Sequence, residues 1–418
     1  MRNTGLPGTD GRRSKMIKDP VHGDIEVDKG IRSLLDTPPV QRLRMIRQLG
    51  FSFLVYPGAN HSRFEHALGT MHLATHLCRR LSLSKDETLL LRAAALLHDI
   101  GHGPFSHAIE PILQAYCGRG HDSVLDLLED EQTNPALASL GVDPAEVSEI
   151  ITGRHRLAGV IHGEIDVDRM DYLNRDAHYT GVPYGSVDVH RIIRSTVLTR
   201  SGIHLDESGI QAAESLLVAR TLMRPSVYFH HVSRIAERMF LIAAVSHCDA
   251  GGDPKSLVRM DDPACIVTFR ESPGRITREM IHRLLTRKLY KRAVYVGAAS
   301  MNKVQMPRPG LADSFMLAEE IADRAGVASH EVCVDIPEFP GDMTMGVMVQ
   351  NRHDIVSLEE ISPLIQSMNE IRRSQWRLGV YCPEEHRKRV FAAAAEVLRI
   401  RRITKQDKLP IDTENEGV

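Results

Sequence analysis

Residues 85–110 read KDETLLLRAAALLHDIGHGPFSHAIE. From Lys85 to about Ile100 the stretch is Leu- and Ala-rich nearly all round, which is the pattern of a helix buried at the centre of a fold. Ser84-x-x-Glu87 fits a capping box that starts it, and Gly101, Gly103 and Pro104 stop it. The helix therefore delivers His98 and Asp99 side by side at a buried end. Burying an imidazole next to a carboxylate is costly unless both find partners. Hydrogen bonds within the core are one solution. A divalent cation is another, because it satisfies both groups at once. Imidazole nitrogen with carboxylate oxygen suits Mn, Fe, Ni or Zn, with Mg as the harder alternative. His102 and His107 follow on a backbone that Gly101 and Gly103 let turn sharply, and Glu110 comes three residues after His107. Imidazoles beside a metal are natural acids or bases at neutral pH, and a carboxylate at that spacing fixes a tautomer and holds the ring protonated.

Outward from this stretch, Ser62-x-x-Glu65 fits a second capping box. It opens a helix carrying Phe64, Leu68, Met71, Thr75 and Cys78 at three- and four-residue steps, with His66 in its first turn. Downstream, the acidic run Glu164-Ile-Asp166-Val-Asp168-Arg-Met-Asp171 can complete a ligand set with His66, His98 and Asp99. Helical patterns continue through 210–225 and 232–247, so residues from about 30 to 250 read as helical. After about 255 the character changes. A helix is predicted over 276–291, then short β-branched runs at 293–297, 331–336, 345–350 and 376–381, interleaved with helical stretches at 357–373 and 384–401. The expected fold class is mostly α, with a helical core over residues 15–255 and a smaller C-terminal helical and α/β appendage over 256–403. Residues 1–14 and the polar tail 404–418 are expected to be disordered.

The chain of 418 residues is 42% hydrophobic and 25% charged, and 52 basic against 54 acidic residues give a formal net charge of −2. That balance excludes a collagenous, coiled-coil or wholly disordered chain and gives no electrostatic case for a membrane surface. One Trp and 5% aromatic residues leave no basic, aromatic-laced groove for nucleic acid. No apolar run approaches the ~18 residues of a membrane span, and the amino terminus lacks the apolar segment of a secretory signal. Six scattered cysteines with no C-x-x-C pair read as reduced thiols, so a cytoplasmic location is expected. About half of the 21 histidines fall between His61 and His178, which concentrates the candidate chemistry there.

Seven motifs in order carry a resemblance. They are Asp19-Pro-Val-His-Gly23, Asp36-Thr-Pro-Pro-Val-Gln-Arg-Leu-Arg44, Gln48-Leu-Gly50, Tyr56-Pro-Gly58, Arg63-Phe-Glu-His66, the run from His98 to His107, and Ile165-Asp-Val-Asp168-Arg-Met-Asp-Tyr172. Together they resemble the HD-domain dNTP triphosphohydrolase family. The match is dense from Lys15 to His178, thins through 200–300 and is weak beyond, and no SAM module is found. The resemblance implies an HD-domain helical core and metal ligands at His66, His98, Asp99 and Asp168. It implies catalytic imidazoles at His102, His107 and His121, with His107 as general acid toward the departing 5′-oxygen. Glu110 stands where the vertebrate family member has the Asp partner of that acid. Cations for the polyphosphate fall on Arg63, Arg169 (Lys in the vertebrate member) and Arg220.

For the sugar, the resemblance places Gln48 and Asp176 on the 3′-hydroxyl, Leu49 and Tyr228 against the C2′ edge, and Tyr172 against the substrate. An unsatisfied 2′-hydroxyl there costs on the order of 1–3 kcal/mol. Arg224 replaces a pocket His of the vertebrate member. Lys15, Asp36, Gln41 and Arg44 match residues that bind an activating guanine nucleotide at a dimer seam, which implies activation by GTP or dNTP and a homo-dimer or homo-tetramer. Asp36-Thr-Pro also reads as an ordinary helix start with Asp as N-cap.

The implied reaction is metal-dependent hydrolysis of a dNTP to a 2′-deoxynucleoside and triphosphate. The same ligand set serves nucleotide pyrophosphatases, monophosphatases and phosphodiesterases, so these remain open. A non-catalytic nucleotide-sensing scaffold is the alternative from a different class.

Overall fold

A computed structural model describes residues 14–199, 202–301, 307–340, 347–350 and 354–400. Apart from Ser14, the segments expected to be disordered lie outside these residues.

Both capping boxes form. Ser62 accepts the Glu65 N–H and Glu65 returns to the Ser62 N–H, and Ser84 and Glu87 repeat the exchange. They start the helices Arg63–Arg80 and Lys85–Leu97, which pack on one another. The second buries Leu90, Leu91 and Ala93 through Leu97, as its all-round apolar pattern requires. It ends at Leu97 rather than near Ile100, and His98 is its C-cap, so His98 and Asp99 sit in the turn that follows. A third helix, Val167–Thr180, starts at the N-cap Asp166, whose side chain accepts the Arg169 N–H at 2.7 Å. It crosses the first helix at Gly69, where a Cβ would collide with the Asp171 carboxylate and the Arg175 guanidinium. The chemistry-bearing ends of three helices are thereby brought to one place.

The fold is mostly helical, with small sheets toward the C-terminus. A central strand Arg377–Cys382 pairs antiparallel with Lys291–Gly297 on one side and Cys333–Asp335 on the other. Helices Leu311–Ala325 and Arg387–Val397 cover it. The predicted helix over 276–291 is Arg275–Leu285; Arg287 turns left-handed (φ 55°) and the strand begins at Lys291. The helical stretch at 357–373 divides at Ser362–Pro363 into Leu358–Ile361 and Pro363–Gln375, because proline cannot continue the first segment. Of the run 345–350, the strand is Met348–Gln350, and 345–346 lie outside the described residues.

The helical reading of 30–250 misses the hairpin Thr196–Thr199 with Gly202–Asp206, which its β-branched TVLT segment favours. This hairpin joins Met348–Gln350 in parallel, with Leu205 opposite Val349, and Ile355–Ser357 completes a four-stranded sheet. Strand pairing thus spans the division expected near 255, and Arg42 reaches the Met260 carbonyl at 2.8 Å across the same line. A two-stranded hairpin, Lys15–Asp19 with Gly23–Val27, was not anticipated either, and it carries Asp19 and His22 to the back of the third helix.

Candidate active site

His66, His98, Asp99 and Asp168 converge. The two Nε2 atoms are 3.2 Å apart. Asp168 Oδ1 lies 2.9 Å from His66 Nε2 and 3.7 Å from His98 Nε2, and Asp99 Oδ1 lies 3.4 Å from His98 Nε2. The Asp168 side chain remains 30% exposed, while His66 and Asp99 are buried.

The tautomers decide whether a cation fits. His98 Nδ1 is 2.8 Å from the Ala95 carbonyl, which only accepts, so Nδ1 carries the proton. His66 Nδ1 is 2.7 Å from Asp171 Oδ2. Burial opposes ionisation of Asp171, but Arg175, aided by His22 and His66, holds it well below the carboxylate range, so it also accepts. Both Nε2 lone pairs then face each other between two carboxylates. The His66, His98 and Asp168 donor atoms lie within 4.8 Å of one another and could hold a divalent cation, with Asp99 Oδ1 beside them 3.4 Å from His98 Nε2. Without one, a proton must separate them: burial lowers the His66 pKa, yet hydrogen bonds to Asp168 and Asp171 bring it up to about 10. Arg63 donates to the other oxygen of Asp99 at 2.7 Å, leaving Oδ1 toward the cradle.

A strained turn follows. Phe105 and Ser106 are both left-handed (φ 58° and 59°), which costs energy for residues with side chains. Three contacts hold them there. Phe105 stacks on Phe51 at 4.4 Å, its N–H donates to Asp262 at 2.7 Å, and Ser106 receives Arg63 Nε at 2.7 Å. The turn projects His107, whose side chain is 66% exposed. His107 Nδ1 lies 2.9 Å from Glu110 Oε2, while His121 Nδ1 meets the other Glu110 oxygen. His102 stacks on His121 at 4.2 Å, and Gly101 lets the His121 carbonyl approach where a Cβ would stand. Burial opposes ionisation of Glu110, but its two histidines pull it far below the carboxylate range. His121 rises because that carboxylate outweighs its burial, and His102 falls well below 6.5 through burial, with Arg63 adding to it.

Gln48, Leu49, Arg63, His107, Tyr172, Asp176 and Tyr228 line one cavity of about 350 Å³. Tyr228 donates to Asp176 Oδ2 at 2.8 Å and His61 Nε2 lies 2.8 Å from its Oδ1. Gln48 Oε1 is buried without a protein partner. A larger cavity, about 550 Å³, lies against the helix His231–Asp249 and the C-terminal sheet and includes none of these residues.

Not every expected residue joins this cavity. Arg169 is taken up by Asp166 and the Gly163 carbonyl, and Arg220 pairs with Glu164 at 3.0 Å, so neither lines it. Elsewhere, Gln41 and Arg44 bond to each other at 2.8 Å, Arg44 lies 3.5 Å over the Phe64 ring, and Lys15 is exposed at the start of the first hairpin. Asp36 is not an N-cap: it closes the helix Lys29–Leu35, and Thr37 occupies the N-cap of Pro38–Arg42. Sequence reasoning gave no role to Arg175, Asp19 or His61, and offered Asp171 only as part of the acidic run that could supply a ligand. Arg175 bonds Asp171 twice at 2.9 Å and Asp19 at 2.7 Å. The available signal was spacing, since Asp168, Asp171 and Arg175 share one helix face.

Comparison with known proteins places this geometry. The HD domain model matches residues 63–176 and the HD associated region matches 187–409. An uncharacterised protein of Methanocaldococcus jannaschii is 34% identical over 379 residues, covering 89% of this chain and 80% of that one. The chain belongs to the HD-domain phosphohydrolase family. Another relative, the deoxynucleoside triphosphate triphosphohydrolase SAMHD1 homolog of Dictyostelium discoideum, is 31% identical over 312 residues, covering 67% of this chain and 60% of its own. A solved phosphohydrolase of Bacteroides thetaiotaomicron matches with a TM-score of 0.70 at 25% identity, over 89% of this chain and all of that one. HD domains bind divalent metals, and His66, His98 and Asp168 form a cluster in this chain that could hold one. No helix among the described residues is long and apolar enough to cross a membrane.

Proposed function

We propose that the protein hydrolyses deoxynucleoside triphosphates to deoxynucleoside and triphosphate, using a divalent cation held by His66, His98, Asp99 and Asp168. The observation that carries this reading is the cavity shared by Arg63, His107, Tyr228 and Asp176, because it sets a phosphate donor, a proton donor and a closed sugar-sized wall together. The bound cation supplies Lewis acidity, lowering the pKa of water and polarising a phosphate oxygen. Arg63 neutralises charge on the phosphates while its bond to Asp99 fixes the carboxylate. His107 gives the proton on Nε2 to the 5′-oxygen of the departing nucleoside. Glu110 accepts from Nδ1 and orients the ring. Gln48 Oε1 accepts from the 3′-hydroxyl, and Leu49 with Tyr228 leaves no partner for a 2′-hydroxyl. Asp36, Gln41, Arg44 and Lys15 are proposed to take an activating GTP or dNTP in a dimer or tetramer.

One observation favours a shorter phosphate chain. Arg169 and Arg220 are already paired with Asp166 and Glu164, and of the guanidinium groups on the cavity wall Arg63 is paired with Asp99 and Arg234 with Glu237 and Asp335. One assay separates the readings: Mn²⁺ with each dNTP and NTP, with and without GTP, products resolved by chromatography. Inorganic triphosphate is expected; orthophosphate or pyrophosphate alone rejects the triphosphohydrolase reading.

A further inference from the structure

A second imidazole cluster lies on the face of the helix Arg63–Arg80 away from the cavity. His72 and His76 are one turn apart and therefore share a face. Their Nε2 atoms are 3.2 Å apart, with ring centroids 4.5 Å apart and planes at 72°. Two imidazole nitrogens on one tetrahedral metal at about 2.0–2.1 Å stand about 3.3 Å apart. The pair is therefore already at chelating distance. His22, in the turn of the first hairpin, has its ring centroid 5.5 Å from that of His72. Its Nε2 is 2.6 Å from Asp171 Oδ1. With Nε2 engaged there, Nδ1 is the remaining ring nitrogen of His22.

We propose that His72 and His76 form a second metal site for a late first-row divalent cation such as Zn²⁺ or Ni²⁺, with the His22 ring close by but not within ligand range of both. Nitrogen-only donors at this spacing select borderline cations over Mg²⁺ or Ca²⁺. The neutral form needed for binding is the resting one: burial, with His76 and His22 adding to it, holds His72 down to about 4. Asp19 and Asp171 face the cluster and favour a cation, while Arg79 and His190 beside His76 oppose one. His22, beside the pair, leads on through Asp171 to His66 of the candidate cradle. The inference stands independently of the reaction proposed above.

Equilibrium dialysis against Zn²⁺ alone, followed by metal analysis, tests it. Wild type is expected to hold two tightly bound zinc ions per chain, His76→Gln one, His98→Gln one, and the double variant none. Undiminished stoichiometry in His76→Gln, or no zinc in a folded His98→Gln, overturns the site. The variant His72→Gln and far-UV circular dichroism guard against a misfolded single variant. In a His98→Gln background, Zn²⁺ is expected to raise the melting temperature, and adding His76→Gln to remove that rise. A persisting rise assigns the metal elsewhere and rejects the proposal.

Discussion

The Nδ1 of His66 sits 2.7 Å from Oδ2 of Asp171, a carboxylate with no solvent exposure. This contact sets which nitrogen of His66 would face a cation, since a proton held on Nδ1 leaves the Nε2 lone pair pointing inward. Replacing Asp171 with Asn weakens that hold and removes one of the two charges balancing Arg175. Metal affinity is expected to fall about 10- to 100-fold, the usual cost of losing such an orienting partner. Competition against a chelator of known affinity measures it.

His107 is not within the ligand cradle, so its loss separates chemistry from metal binding. His107→Gln is expected to lower kcat by about 10²- to 10⁴-fold with metal content and KM little changed. Loss of metal along with activity would instead assign His107 to coordination.

Tyr228 lines the cavity and bonds to Asp176. Tyr228→Ala opens the wall where a 2′-hydroxyl would stand. The ratio of GTP to dGTP hydrolysis is expected to rise about tenfold to a hundredfold. An unchanged ratio means that the tyrosine is packing alone.

Asp262 anchors the strained turn by accepting the Phe105 and Arg47 N–H groups. Burial nevertheless outweighs these bonds and raises its pKa to about 6. Its ordinary unfolded value is about 3.9, so between pH 4 and 6 the folded state binds more protons than the unfolded state. Stability from this group is therefore complete below about pH 4 and is lost as pH rises toward 6, with a slope of at most about 1.4 kcal/mol per pH unit. Asp262→Asn keeps an acceptor for Phe105 and has no such slope. Denaturant unfolding of both proteins across this range is expected to show the difference between them widening with pH.

The centre of the site was legible because its chemistry is local. An all-apolar helix ending in His98-Asp99 leaves few physical solutions, and the capping boxes at Ser62 and Ser84 fixed where the flanking helices start. What was not legible depends on distant pairing. Whether Arg169 and Arg220 point to a ligand or to a carboxylate is decided by where Glu164 and Asp166 land in space. The approach of His22 to His72 and His76 was not legible, because His22 arrives from a hairpin that the helical periodicity gave no reason to expect. Asp36 likewise reads as a helix start from its neighbours, yet it ends the preceding helix by donating its N–H to the Arg32 carbonyl.

The parallel pairing of Leu205 with Val349 has a practical outcome for anyone trimming this polypeptide. A fragment stopped near residue 255 would bare the outer edge of Gly202–Asp206 and strip Val349, Leu358, Ile365 and Met368 from the same apolar cluster that backs the catalytic helices. Such a piece would keep every proposed ligand and His107, lose the Asp262 anchor of the strained turn, and be expected to precipitate. The minimal working unit therefore extends far past the last residue that touches chemistry.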